Sequence, residues 1–139
     1  MQHPLVLTNG CFDLMHRGHC EALYRASRYG TLWVLLNSDE SVRRNKGPLR
    51  PVIDENDRAY ILSCLSFVSA VILFDEETIC SALLMLDPDI YCHGGDRMHD
   101  QPAVERDLLL SRGIITHWTE VVPDVSTSLI VDSLAVGGD

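Results

Sequence analysis

With 139 residues, 46% of them hydrophobic, the chain can bury one sizeable core, and a single domain over 1–139 is expected. A formal net charge of −9 would repel a polyanion spread over a broad surface, which argues against general nucleic-acid binding. No apolar run approaches about eighteen residues, and Gln2-His3-Pro4 is not a basic leader, so neither a membrane span nor secretion is expected.

Along the chain, apolar runs rich in branched residues alternate with segments whose apolar residues recur every three or four positions, the pattern of repeated strand and helix units. Strands are expected over 5–8, 31–37, 70–74, 90–93 and 114–118. The first helix should begin near Gly18 with Cys20, Leu23 and Ala26 on one face, and Gly30 supplies a stop. A second, over 55–65, would turn Ala59, Leu62 and Leu65 inward. A third, over 76–86, should end at Asp87-Pro88, because proline disfavours helical geometry in the residue before it. Pro102 can open a fourth, and 126–134 reads as a helix capped by hydroxyl residues. Between the second strand and the second helix, Arg43, Arg44, Lys46 and Arg50 form a basic run that holds the chain's only lysine; a solvated loop is its simplest reading. The five cysteines (Cys11, Cys20, Cys64, Cys80 and Cys92) are odd in number and show no C-x-x-C spacing, which fits reduced thiols and a cytoplasmic setting.

Four chemically suggestive segments each follow an expected strand: Thr8-Asn9-Gly10-Cys11-Phe12-Asp13 running on to His16-Arg17-Gly18-His19, then Asn37-Ser38-Asp39, His93-Gly94-Gly95-Asp96-Arg97, and Pro123-Asp124-Val125-Ser126-Thr127-Ser128. In an open parallel sheet the carboxyl ends of the strands share one edge, where ligands bind, so these segments should meet there. His16-x-Gly18-His19 places two imidazoles at the start of a helix, whose N–H groups and dipole favour an anion, and Gly18 admits a phosphate close to the backbone. Two other readings stay open for the histidines: imidazoles that cap a turn, or metal ligands one helical turn apart, with His93 and His99 as further donors. Neither G-x-x-x-x-G-K-[ST] nor G-x-G-x-x-G is present.

These residues resemble the cytidylyltransferase-like (HxGH) nucleotidyltransferases, and within them the heptose 1-phosphate adenylyltransferase (ADP-heptose synthase) domains. The resemblance continues through Asn37-Ser38-Asp39-x-Ser41-Val42-Arg43, Lys46-Gly47-Pro48-x-Arg50-Pro51-Val52, Asn56-Asp57-Arg58-Ala59, Phe74-Asp75-Glu76-Glu77-Thr78, Gly94-Gly95-Asp96 and Ser126-Thr127-Ser128-x-Ile130. Two positions depart from the heptose pattern: His93 replaces a usual lysine, and Pro123-Asp124-Val125 stands where a glycine precedes the hydroxyl cluster. The arginine that related cytidylyltransferases often carry there is missing as well.

The resemblance implies an α/β, Rossmann-like, open and mostly parallel five-stranded sheet with helices on both faces. It also implies transfer of AMP from ATP to a sugar phosphate of the heptose 1-phosphate kind, releasing pyrophosphate. By the same resemblance, His16, His19 and Lys46 are catalytic, and Thr8, Asn9, Gly10, Cys11, Phe12, Gly18, Arg58, Asp96, Ser126, Thr127 and Ser128 bind the nucleotide. Lys46 and Arg97 would meet the acceptor, and Asp13 would fix a turn. For single residues simpler readings remain, a helix-surface arginine for Arg58 and plain capping for the hydroxyl cluster. Mg2+ is expected with the triphosphate, without dedicated protein ligands. A homodimer is implied. The alternatives are a CTP-dependent enzyme for a polyol or amino-alcohol phosphate such as glycerol 3-phosphate, a non-catalytic nucleotide-binding regulator, and a metal-dependent hydrolase.

Overall fold

The structure is a computed structural model that describes residues 3–94 and 101–119. Among the described residues, five strands and five helices follow one another as β1 (Leu5–Gly10), α1 (Arg17–Ser27), β2 (Thr31–Asn37), α2 (Asp39–Lys46), α3 (Glu55–Ser63), β3 (Ala70–Phe74), α4 (Cys80–Leu86), β4 (Ile90–Gly94), α5 (Ala103–Ser111) and β5 (Ile115–Thr119). The strands form one sheet in the order β3-β2-β1-β4-β5, every neighbouring pair parallel. The architecture is the Rossmann-like α/β fold that the segments above imply.

Because side chains alternate across a strand, each central strand feeds two cores. Val6, Leu32, Val34, Leu36 and Cys92 pack with Leu23 and Ala26 of α1 and Leu62 of α3. Leu7, Leu35 and Tyr91 face the other way, against Leu83 of α4 and Leu109 of α5. Gly30 precedes β2 because nothing larger fits: a Cβ there would lie 2.3 Å from the Pro4 carbonyl oxygen, next to the Thr31 N–H that donates to that same oxygen at 2.8 Å.

Two expectations need correction. Arg43, Arg44 and Lys46 lie on α2, not in a loop. Ser38 caps α2 by accepting from the Ser41 N–H at 3.1 Å, Asp39 and Glu40 fill the first turn, and the basic residues fill the last, so charges complement the helix dipole at both ends. The helix expected over 76–86 starts only at Cys80. Its start is set by the buried Glu105 carboxylate, which takes the Ile79 N–H at 3.0 Å, and by Thr78 Oγ1, which takes the Cys80 N–H at 3.4 Å. Asp87 then leaves the helix in the left-handed conformation, φ 45°, directly before Pro88. Pro102 caps α5 as expected. The helix expected over 126–134 lies outside the described residues. No helix among the described residues is long and apolar enough to cross a membrane.

Candidate active site

At the carboxyl edge of the sheet, one buried guanidinium ties the segments together. Arg58 on α3 is fully buried, and its N–H groups donate to Cys11 O at 2.7 Å, Asn37 O at 2.8 Å, Ile53 O at 2.9 Å and Asp39 Oδ1 at 2.8 Å. The chain after β1, the end of β2 and the start of α2 are thus held in one frame. Four protein acceptors saturate nearly the whole planar fork. Arg58 is neither a surface residue nor free to reach a nucleotide; it stands behind the site and positions it.

His16 is the N-cap of α1, in extended conformation, and its Nδ1 accepts from the Gly18 N–H at 3.0 Å. His19 Nδ1 accepts from the His16 N–H at 3.2 Å, so the two side chains form a reciprocal capping box in which imidazoles take the places usual for hydroxyl and carboxylate groups. The rings stack with centroids 4.0 Å apart. A nitrogen that accepts carries no proton, so in this geometry each Nδ1 is bare and the hydrogen of each ring falls to Nε2. The backbone therefore sets both tautomers. Gly18 N–H is spent on His16, so Nε2 is the nitrogen each ring has left to offer an anion, and that of His16 is buried. Burial, helped by the neighbouring His16 and the Lys46 ammonium, pushes the His19 pKa down to about 4. Lys46, exposed in the last turn of α2 before Gly47 at φ 98°, is thus within electrostatic reach of His19.

The loop between β1 and α1 is fixed by Asp13, whose side chain is buried. Its carboxylate accepts from Val52 N at 2.8 Å, Ile53 N at 2.9 Å and Arg50 Nε at 2.9 Å. Burial pushes the Asp13 pKa up, but these hydrogen bonds outweigh it and hold the carboxyl below its ordinary value. In the same loop Phe12 and Leu14 adopt positive φ, 50° and 52°, a left-handed geometry that costs about 1 kcal/mol each and is held here by the surrounding bonds. Gly10 lets the loop fold back, since a Cβ there would meet the Phe12 ring at 2.9 Å. Thr8 is an interior residue, its Oγ1 donating to Cys92 O at 2.9 Å.

On the opposite face of the sheet, between the strand ends and the α4/α5 side, lies a cavity of about 200 Å³ lined by Asn9, Asn37, Asn45, His93 and Gln101 among others. Tyr91 OH donates to Asn9 Oδ1. Asn37, 4% exposed, donates from Nδ2 to Ser41 Oγ at 2.8 Å, while its buried Oδ1 has no partner among the described residues. His93 is buried, stacked on Trp118 at 3.8 Å and edge-on to Tyr91 at 4.6 Å, and burial pushes its pKa down to about 4. Asn37 stood in a segment that the sequence singled out, Asn37-Ser38-Asp39, but with no role of its own. An alternating register alone does not tell which strand-end amide will lack a partner.

Asp96, Arg97, His99, Ser126, Thr127 and Ser128, like Pro123-Asp124-Val125, lie outside the described residues. Among the described residues no three His, Cys, Asp or Glu side chains gather as metal ligands. None of the five cysteines forms a disulfide, and burial raises the Cys92 pKa to about 12.

A family model described as cytidylyltransferase-like matches residues 7–133. The chain belongs to the cytidylyltransferase-like family, and it is a nucleotidyltransferase. It is similar to the bifunctional protein HldE of Syntrophotalea carbinolica, 45% identical over 131 residues that make up 94% of this chain and 26% of the relative. The bifunctional protein HldE of Helicobacter pylori is 37% identical over 134 residues, 96% of this chain and 28% of that protein. The chain thus spans about a quarter of the length of these curated relatives. Among solved structures, the lipopolysaccharide core biosynthesis protein from Thermoplasma volcanium superposes with a TM-score of 0.71 at 27% identity, covering 86% of this chain and 97% of that one. Pantothenate synthetase from Thermus thermophilus, at 14% identity and a TM-score of 0.59 over 85% of this chain and 55% of its own, shares the fold.

Proposed function

We propose that the chain transfers AMP from ATP to a sugar phosphate of the heptose 1-phosphate kind, releasing pyrophosphate. One observation carries the reading: two stacked imidazoles whose Nδ1 atoms are held as acceptors by the start of α1, with Lys46 in electrostatic reach. Support for the acceptor comes from the segments that resemble heptose 1-phosphate adenylyltransferase domains and from the likeness to a lipopolysaccharide core biosynthesis protein.

In this reading a phosphate oxygen of the acceptor attacks the α-phosphorus in line, the bond from the α-phosphorus to the bridging oxygen breaks, and pyrophosphate leaves with that electron pair. No protein nucleophile is needed. His16 and His19 donate Nε2–H bonds to the triphosphate and to the charge that grows on the departing oxygen; Lys46 brings a mobile cation to the reacting phosphate. Donors fixed in advance need no reorganisation as charge develops, which is where their catalytic value lies. Asp96, Ser126, Thr127 and Ser128 complete the nucleotide site, and Arg97 the acceptor site, by resemblance alone. The donor set at α1 consists of N–H groups and a cation, which suits phosphate oxygens and not a metal; Asp13 is already taken by Val52, Ile53 and Arg50. Mg2+ would accordingly be carried by phosphate oxygens and water, and would neutralise triphosphate charge. A cytoplasmic homodimer is part of the same proposal.

Phosphorus NMR of reactions with Mg2+, offering ATP or CTP to heptose 1-phosphates and to glycerol 3-phosphate, tests it. A new diphosphodiester signal with ATP and a heptose 1-phosphate is the expected outcome. Product only with CTP and glycerol 3-phosphate would replace it by a cytidylyltransferase, and ATP binding without product across the panel would leave a nucleotide-binding regulator.

A further inference from the structure

The cavity on the α4/α5 face is chemically unlike the histidine end. Among the described residues no lysine or arginine lines it; its walls carry the amides Asn9, Asn37, Asn45 and Gln101, the Glu77 and Glu105 carboxylates and the imidazole of His93. A second phosphate would find no cation among these walls, whereas hydroxyl groups, which both donate and accept, suit amides and a neutral imidazole. At about 200 Å³ the cavity has room for roughly six or seven waters, the bulk of a small polyhydroxylated group.

Two observations point to a ligand. One end of the Asn37 amide is engaged by Ser41 Oγ at 2.8 Å, and the other, buried in a residue only 4% exposed, has no partner among the described residues. Buried polar atoms in native proteins are nearly always satisfied, so one left open beside a cavity is matched by whatever fills it. His93 is held by the Trp118 and Tyr91 rings, and its depressed pKa keeps it neutral at neutral pH. The cavity is also connected to the phosphate chemistry by sequence: Asn45 precedes Lys46, and Asn9 lies near the end of β1, just before the loop that leads to His16.

We propose that this cavity receives the uncharged, hydroxyl-bearing body of the acceptor, and that Asn37 and His93 determine specificity by hydrogen-bonding its hydroxyls. The proposal rests on the acceptor being a sugar phosphate. The acceptor phosphate would then lie on the Lys46 side, outside the cavity.

The test is calorimetric titration of the full chain with a heptose 1-phosphate, with inorganic phosphate and with ATP, in the wild type and in His93→Phe, His93→Gln and Asn37→Ser. Phe keeps the aromatic stack and removes hydrogen bonding, and Gln returns a donor and an acceptor. Expected is a rise of about tenfold in the Kd for the sugar phosphate in His93→Phe and Asn37→Ser, partial recovery in His93→Gln, and unchanged Kd values for ATP and inorganic phosphate. Sugar phosphate bound equally by wild type and variants, affinity for ATP falling in step, or no sugar phosphate binding to the wild type would each overturn the proposal. Pyrophosphate release is measured on the same samples: absent turnover with the binding pattern intact sinks the adenylyltransfer reading and leaves the pocket standing.

Discussion

The two ends of the site differ in charge and in how their polar groups are tied down. Where β1 runs into α1, bonds within the protein fix the side chains at one atom or more: the Nδ1 atoms of His16 and His19 cap each other's backbone while His16 Nε2 is buried, Asp13 holds the 50–53 segment, and Arg58 donates to four acceptors. In the cavity across the sheet, Asn37 keeps an open amide oxygen, and the lining bears no lysine or arginine among the described residues. A transition state whose charge appears at fixed atoms is best met by donors fixed beforehand, while a neutral ligand that brings its own hydroxyls needs a partner left open. Histidine serves the first purpose because it can cap with one nitrogen and donate with the other.

Breaking the rigid end should cost most. His16→Ala or His19→Ala should lower kcat for pyrophosphate release by about 10²- to 10³-fold each, the scale for losing one fixed donor, and together by less than the product because the rings hold each other. Arg58→Met should destabilise the fold by about 3 kcal/mol or more, read from urea midpoints, since it leaves buried carbonyls and Asp39 without their donor.

Acid separates the ends less sharply, because each holds a histidine with pKa near 4. Above pH about 6.5 both rings are neutral folded or unfolded, and stability is flat. Between about 6.5 and about 4 the unfolded chain takes up protons at His19 and His93 that the folded chain refuses, so stability falls as the pH falls, by a few kcal/mol in total. Asp13, depressed in the fold, extends the loss as the pH drops below about 3.9. Urea midpoints against pH should show this slope, and His93→Phe should remove the part due to His93 alone. Smallest of all, Gly47→Ala should cost about 1 kcal/mol in thermal melts, because φ 98° strains a side chain that otherwise meets open space.

The sheet was legible in the sequence because long, β-branched apolar runs carry their own signal, and all five strands lie where the runs lie, β1 reaching two residues further. α2 was not, since eight residues bury only Ser41 and Val42 and give no periodicity; its signals were the Ser38 cap, the acids of the first turn and the bases of the last. The histidine pair was legible as a phosphate-site motif, but its locked tautomers depend on the Nδ1 atoms meeting backbone N–H groups. Arg58 was legible as a motif residue and not as a buried one, because its acceptors come from three stretches separated along the chain: Cys11, Asn37 with Asp39, and Ile53. The cavity depends on register and on which amide Ser41 engages, which no local pattern records.

Nitrogen-15 NMR of the histidine rings at neutral pH, with and without Mg2+-ATP, tests the preorganised donor pair most directly. Both His16 and His19 should be neutral with hydrogen on Nε2 before ATP is added, and addition should shift their Nε2 resonances while Nδ1 stays an acceptor. Hydrogen on Nδ1, or Nε2 resonances indifferent to ATP, would contradict it.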